Sequence, residues 1–273
     1  MSFSISGKTA IVTGAANGVG LAIARHFASM GANVMFADMD EASLSQEIGE
    51  AAAQDDSNVR YFVGDLREKL CQANLMSATI DAFDTVDILI NASRQILSTD
   101  VLDENDGSLE TLLTQNLTAG YRLSQTVARR MISQSRKAGP EAQGDGDAGV
   151  IINLSSIAAA RMHPDLLAYS VSTAALNQLT RCLAVSLAPH RIRVNAVAFG
   201  SVMSTSLRRA LLDHDEARDD IISHTPLGRI AAPGELAETV QYLACDAAGF
   251  TTGQIITVDG GRRLLDAVRA AAH

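Results

Sequence analysis

Seven short apolar runs rich in Val and Ile recur at Thr9–Thr13, Asn33–Asp38, Val59–Gly64, Val86–Ala92, Val150–Leu154, Arg193–Phe199 and Gln254–Val258. Longer stretches with apolar residues at helical spacing separate most of them, and Val19, Ile23, Phe27 and Met30 form one such face. Strands that are apolar almost without interruption need cover on both faces, which right-handed helical crossovers supply. The alternation predicts an α/β fold: a doubly wound, seven-stranded parallel sheet with helices on both faces, built as a single domain over 1–273. In such a sheet a ligand sits beyond the C-terminal ends of the strands.

Two segments break the rhythm. Ser133 to Gly149 holds five glycines and prolines among polar residues and predicts a surface loop. The stretch 201–225, with Arg208, Arg209, Asp213, Asp215 and Glu216, predicts short helices that serve as a substrate lid. Residues 262–273 form a C-terminal tail.

The first strand runs into Thr13-Gly14-Ala15-Ala16-Asn17-Gly18-Val19-Gly20, a glycine-rich turn that opens a helix. Backbone N–H groups and the positive end of a helix dipole meet a pyrophosphate there, and missing side chains let the phosphates approach. Eighteen residues beyond Gly20, Asp38 ends the second strand, where a carboxylate accepts hydrogen bonds from the adenosine ribose. Met39 and Asp40 follow with no adjacent cation for a 2'-phosphate, so the expected cofactor is NAD and not NADP. The alternative for Asp38 is a helix cap. Asp65 ends the third strand, where its side chain or the N–H of Leu66 would touch adenine, unless Asp65 caps a helix.

The 31 acidic and 22 basic residues leave a formal charge of -9, which disfavours nucleic acid and anionic membranes as partners. No apolar run reaches the roughly 18 residues of a membrane span, and the N-terminus lacks the pattern of a leader, so a cytoplasmic protein is expected. Cys71, Cys182 and Cys245 are dispersed, as are the histidines; neither a disulfide nor a metal site is expected.

The turn Thr13-Gly14-x-x-x-Gly18-x-Gly20, together with Asn116, Ser156, Tyr169 and the ending Thr252-Gly253-Gln254-Ile255-Ile256-Thr257-Val258-Asp259-Gly260-Gly261, resembles the short-chain dehydrogenase/reductases of the compact type. The resemblance spans Gly7 to Gly261 and implies a Rossmann-type fold and hydride transfer between NAD(H) and a secondary alcohol or ketone. It casts Tyr169 as the acid/base, Ser156 as its partner on the substrate oxygen and Asn116 as the helix asparagine of a proton relay. It further implies that Gly14, Asn17, Gly18, Val19, Gly20, Asn91, Val202 and Ser204 line the cofactor. A homotetramer or homodimer is also implied, built through the helices carrying Asn116 and Tyr169 and through the last strand.

Three sites depart from the family pattern, one of them the stretch Asn91-Ala92-Ser93-Arg94 where the family has Asn-Asn-Ala-Gly. Thr173 stands where the family has a lysine, one helical turn after the tyrosine. A unit charge 4 Å away at an effective dielectric near 20 is worth about 4 kcal/mol, so its loss favours the protonated phenol and moves alcohol oxidation toward alkaline pH. Arg94 replaces a glycine after the fourth strand, and Phe199 replaces a proline after the sixth. Arg94 either faces solvent or a carboxylate, or it brings its guanidinium toward cofactor or substrate and partly replaces the missing charge. His163 borders the expected substrate loop without a catalytic assignment. The sequence thus leaves two readings: an NAD-dependent oxidoreductase of undetermined substrate with an unusual proton relay, or an NAD-binding protein of negligible turnover acting as sensor or oligomer partner.

Overall fold

The computed structural model describes residues 3–137, 146–204, 207–208, 211–212 and 215–266. Seven parallel strands, β1 (Thr9–Thr13), β2 (Asn33–Asp38), β3 (Val59–Val63), β4 (Ile88–Asn91), β5 (Gly149–Ser156), β6 (Ile192–Phe199) and β7 (Ile255–Val258), form one sheet in the order β3-β2-β1-β4-β5-β6-β7. The order reverses direction between β1 and β4, which opens a crevice above the C-terminal ends of those strands.

Among the described residues the helices are α1 (Gly18–Ser29), α2 (Glu41–Ala52), α3 (Lys69–Phe83), α4 (Ser108–Leu113), α5 (Ala119–Lys137), α6 (Leu167–Leu187), α7 (Asp215–Ser223) and α8 (Pro233–Ala244). Strand residues alternate between two apolar layers. Val12, Val34, Phe36, Ile90 and Ile152 pack with Phe27 of α1 and Leu236 and Leu243 of α8. Ile11, Met35, Leu89, Ile151 and Val194 pack with Leu123, Val127 and Met131 of α5 and Leu183 of α6. Both faces of the sheet are covered, as the continuous apolar runs require.

The loop expected over 133–149 is shorter at both ends. α5 continues through Lys137, with Arg136 and Lys137 in its last turn facing the negative end of the helix dipole. Gly149 belongs to β5, where a Cβ would lie 2.3 Å from Met131 Sδ. It is a packing glycine and not a turn glycine. Residues 138–145 fall outside the described residues, as do 205–206, 209–210 and 213–214 of the expected lid and 267–273 of the tail. Of the lid, α7 occupies Asp215–Ser223.

The sheet's far side is pinned by a buried cation. Arg193, on β6, reaches Asp147 Oδ2 at 2.6 Å and donates to the carbonyl oxygens of Leu243 at 2.7 Å and Cys245 at 3.2 Å. Arg193→Ala would leave these buried acceptors without a donor, and a loss of about 3 kcal/mol is expected. For a chain of this size that is a fall of roughly 6–12 °C in Tm by scanning calorimetry.

Candidate active site

The glycine-rich turn and the loop after β4 face one another across the crevice. The Thr13 hydroxyl accepts from the N–H groups of Ala92 and Ser93, both at 3.0 Å, and this draws the second loop onto the first. A Cβ on Gly14 (φ +65°) would stand 2.8 Å from Ser93 Cα, and one on Gly20 would stand 2.1 Å from the Gly14 carbonyl oxygen. These two glycines allow backbone to touch backbone. Gly18 (φ +59°) differs, because a Cβ there would meet nothing nearer than Ser204 Cβ at 3.8 Å. Its open side faces a cleft of about 690 Å³ lined by Gly18, Val19, Asp38, Asp65, Arg94 and Ser204. α1 begins at this point, and the Asn17 side chain makes no capping bond to its first-turn N–H groups. An open, positive helix end beside a bare glycine fits a dinucleotide pyrophosphate.

Asp38 stands on the same wall. Its Oδ2 accepts from the Ala16 N–H at 3.0 Å, and its Oδ1 from Met39 at 2.7 Å and Asp40 at 3.2 Å. The carboxylate thus ties the glycine-rich turn to the end of β2. The cap of α2 is Asp40, which accepts from the Ser43 N–H. Asp65 does not cap α3, which begins at Lys69 after Glu68. Instead Arg67 holds it in a fork, Nε at 2.9 Å from Oδ1 and Nη2 at 2.6 Å from Oδ2, and this pairing keeps the Asp65 carboxyl below its ordinary range. Leu66 lies on the cleft wall beside them. Arg67 was not among the expected site residues, since its sequence neighbourhood carries no motif.

Beyond the Ser93–Arg94 wall of the cleft, α6 carries Tyr169, buried at 3% exposure with Leu112, Ala158 and Ala168 around its ring. Arg94 Nη1 donates to Tyr169 Oη at 2.9 Å, and Arg94 Cζ lies 4.2 Å from the centroid of the Phe199 ring. Two of the three departures from the family pattern therefore touch each other at the tyrosine. The third, Thr173, is buried one turn along α6 and back-bonds to the Tyr169 carbonyl at 2.9 Å. Beside Thr173 and Tyr169 lies a cavity of about 30 Å³, room for about one water. Asn91 is among its walls, with Oδ1 buried and unpartnered. The Asn91 amide donates to Ser124 Oγ at 3.0 Å and Asn153 Oδ1 at 2.9 Å, so this residue joins β4 to α5 and β5 and does not line the open cleft.

A π turn, Thr114–Thr118, interrupts the path from α4 to α5 and carries Asn116. The Asn116 side chain accepts from the Gln95 N–H at 2.8 Å and donates to the Gln95 carbonyl at 2.9 Å, with a longer bond to Ser172 Oγ at 3.3 Å. It clamps the residue after Arg94, while Gln115 Nε2 reaches Ser93 Oγ at 3.0 Å on the other side. Ser156 ends β5, and its hydroxyl accepts from the Ala158 N–H at 3.1 Å, which starts the turn leading toward α6. Among the described residues no hydrogen bond joins Ser156 to Tyr169. Val202 is buried, and its backbone pairs with Ala231; Ser204 caps the residues after it, accepting from the Leu207 N–H at 3.2 Å. His163 is exposed and accepts from the Asp165 N–H at 3.3 Å. Among the described residues no cluster of His, Cys, Asp and Glu is arranged for a metal, and no helix is long and apolar enough to cross a membrane.

A doubly wound sheet with a glycine-rich turn at its switch point and a buried tyrosine beyond β5 defines the class, and comparison with known proteins agrees. The family model described as Enoyl-(Acyl carrier protein) reductase matches residues 14–263, and the chain belongs to the short-chain dehydrogenase/reductase family. It is 31% identical over 264 residues to galactitol 2-dehydrogenase (L-tagatose-forming) of Cereibacter sphaeroides, covering 95% of this chain and 96% of that one. A 3-oxoacyl acyl-carrier-protein reductase of Chlamydia trachomatis is 29% identical, with 96% of this chain and 99% of the other covered. Among solved structures, a 7 alpha-hydroxysteroid dehydrogenase complexed with NADH and 7-oxo glycochenodeoxycholic acid superposes with a TM-score of 0.84 at 28% identity, covering 95% of each chain.

Proposed function

We propose that this protein is an NAD(H)-dependent oxidoreductase acting on a secondary alcohol or the corresponding ketone. The observation that carries this reading is that a cleft walled by Gly14, Gly18, Gly20 and Asp38 shares Ser93 and Arg94 as walls with the small cavity on which the buried Tyr169 lies. The nicotinamide ring, when bound, supplies or accepts the hydride. The chain's own groups handle the proton: Tyr169 Oη gives it to a ketone oxygen or takes it from an alcohol, and Ser156, whose hydrogen has no acceptor among the described residues, donates to the same oxygen. Asn116 contributes as the clamp on the Arg94 loop, because its side-chain amide is already engaged by Gln95 and Ser172.

Preference for NAD over NADP is supported by the Asp38 carboxylate and by Arg67, whose guanidinium is occupied by Asp65 and so is not offered to a 2'-phosphate. The helix faces carrying Tyr121, Val171 and Val185 are exposed, which supports a homo-oligomer built through α5 and α6. The range of substrates named among the relatives, a polyol, an acyl chain and a steroid, leaves the substrate class to be found by screening.

The test is a fluorescence titration with NADH and NADPH followed by a panel of secondary alcohols and ketones from pH 7 to 10. NADH is expected to bind at least about tenfold tighter than NADPH. Asp38→Ala should weaken NADH by about tenfold or more, the worth of hydrogen bonds to a charged acceptor, and should narrow the preference. Failure to bind either dinucleotide would sink the reading, whereas NADH binding with no turnover on any substrate would favour a sensor or oligomer partner.

A further inference from the structure

We propose that Arg94, braced on the ring of Phe199, is the cation that serves Tyr169 in place of the lysine replaced by Thr173. The inference rests on the oxidoreductase reading and adds to it the group that governs the tyrosine's proton. At 2.9 Å the guanidinium is in direct contact with the phenol oxygen, and its carbon sits 4.2 Å above the centre of an aromatic face that repels water from one side. The phenol oxygen accepts from Arg94 while its own hydrogen stays available for a substrate oxygen. When the phenol is deprotonated, the same N–H faces the negative charge. One contact thus favours both directions of proton transfer.

The loop is built to hold the guanidinium there. Thr13 fixes the N–H groups of Ala92 and Ser93, Gln115 holds the Ser93 hydroxyl, and Asn116 grips both backbone groups of Gln95. Arg94 is thereby flanked by anchored residues on both sides, the condition for a preorganised charge. Phe199, the last residue of β6, is a positioning residue whose effect passes through Arg94.

Among the described residues no competing charge explains the arrangement. Of the described residues walling the cavity at Tyr169, Arg94 alone is charged at neutral pH. α4 packs Leu112 against the ring, and its one carboxylate, Glu110, is exposed. The β5–α6 connection carries Arg161, His163 and Asp165, all exposed. Arg161 donates to the carbonyl oxygens of Arg263 and Leu265, and His163 and Asp165 lie against each other. β6 contributes only the uncharged Phe199, and α6 and the π turn contribute Ser172, Thr173 and Asn116. An arginine does not titrate in the working range of an enzyme.

The test is the ultraviolet ionisation titration of Tyr169 in the full chain without substrate, isolated from the other three of its four tyrosines by subtracting Tyr169→Phe. In Arg94→Ala the ionisation should move up by at least about one pH unit. Arg94→Gln, which keeps a donor and most of the volume, should do the same, since it removes the charge; it also covers the case in which the alanine variant folds poorly. Thr173→Lys added to Arg94→Ala should bring the ionisation back down, because its ammonium enters the same side of α6. Phe199→Leu should give an intermediate shift. The pH profile of alcohol oxidation should move in the same order, with kcat at pH 7 falling about tenfold in Arg94→Ala and recovering as the pH is raised. Identical tyrosine titrations in the parent protein and Arg94→Ala would overturn the proposal. So would an Arg94→Ala enzyme with a raised KM for carboxylate-bearing substrates alone and an unmoved pH profile, which would make Arg94 a substrate anchor. Because the titration needs no turnover, it stays decisive even if the oxidoreductase reading fails.

Discussion

Tyr169→Phe is expected to lower kcat/KM by at least about 100-fold while leaving NADH affinity within about twofold, because general acid–base groups contribute on the order of 10²–10⁴. The substitution removes one oxygen and keeps the ring. That ring is the part which packs against Leu112, Ala158 and Ala168, so the fold should survive. Phe199 would still hold the guanidinium of Arg94 in place, with no phenol oxygen to receive it. The measurement is steady-state kinetics on whichever ketone the screen yields, paired with the NADH titration. A variant that retains more than about a tenth of the activity would mean that the proton comes from another group. Ser156 would be the first candidate, since it lies at the end of β5 next to the turn packed on Tyr169.

The strands were legible because their apolar runs are short, rich in Val and Ile and bounded by turn residues. β1 and β2 have the boundaries read from sequence, and the others differ by one or two residues at one end or, for β4 and β5, at both. Where the reading went astray, a residue type had two possible jobs. Gly149 looks like a turn residue until Met131 is seen against it, and of the two jobs open to Asp65 in the sequence the cap is set aside by α3 starting at Lys69 and by the Arg67 fork. The glycine-rich turn at the switch point was legible because glycine spacing between a strand and a helix is a local property. The environment of Tyr169 was not. Positions 94, 169, 173 and 199 meet only through tertiary contact, and in sequence Arg94, Phe199 and Thr173 are three separate losses. Asn116 shows the same limit. Its position on the helix was found from the resemblance, while its grip on Gln95 depends on a loop 21 residues earlier.

Two glycines of the cradle should fail in different ways, and the difference tests whether the turn serves a ligand or only the fold. In Gly20→Ala the new methyl would lie 2.1 Å from the Gly14 carbonyl oxygen and 3.1 Å from that of Thr13, both backbone atoms that cannot rotate away. The turn must open, with a cost of about 1–3 kcal/mol typical of overpacking and a loss of NADH affinity of about 100-fold or more as the N-terminus of α1 is displaced. In Gly18→Ala the new methyl meets open space, so the cost to stability is confined to the left-handed backbone at φ +59°, about 1–2 kcal/mol. Its methyl nevertheless projects into the cleft where a pyrophosphate would approach, and affinity should fall by about tenfold or more. Thermal unfolding and NADH titration of the two variants separate the effects. A Gly18→Ala protein that binds NADH as the parent does would remove the ligand from this turn, because its only remaining reason for glycine would be the backbone angle.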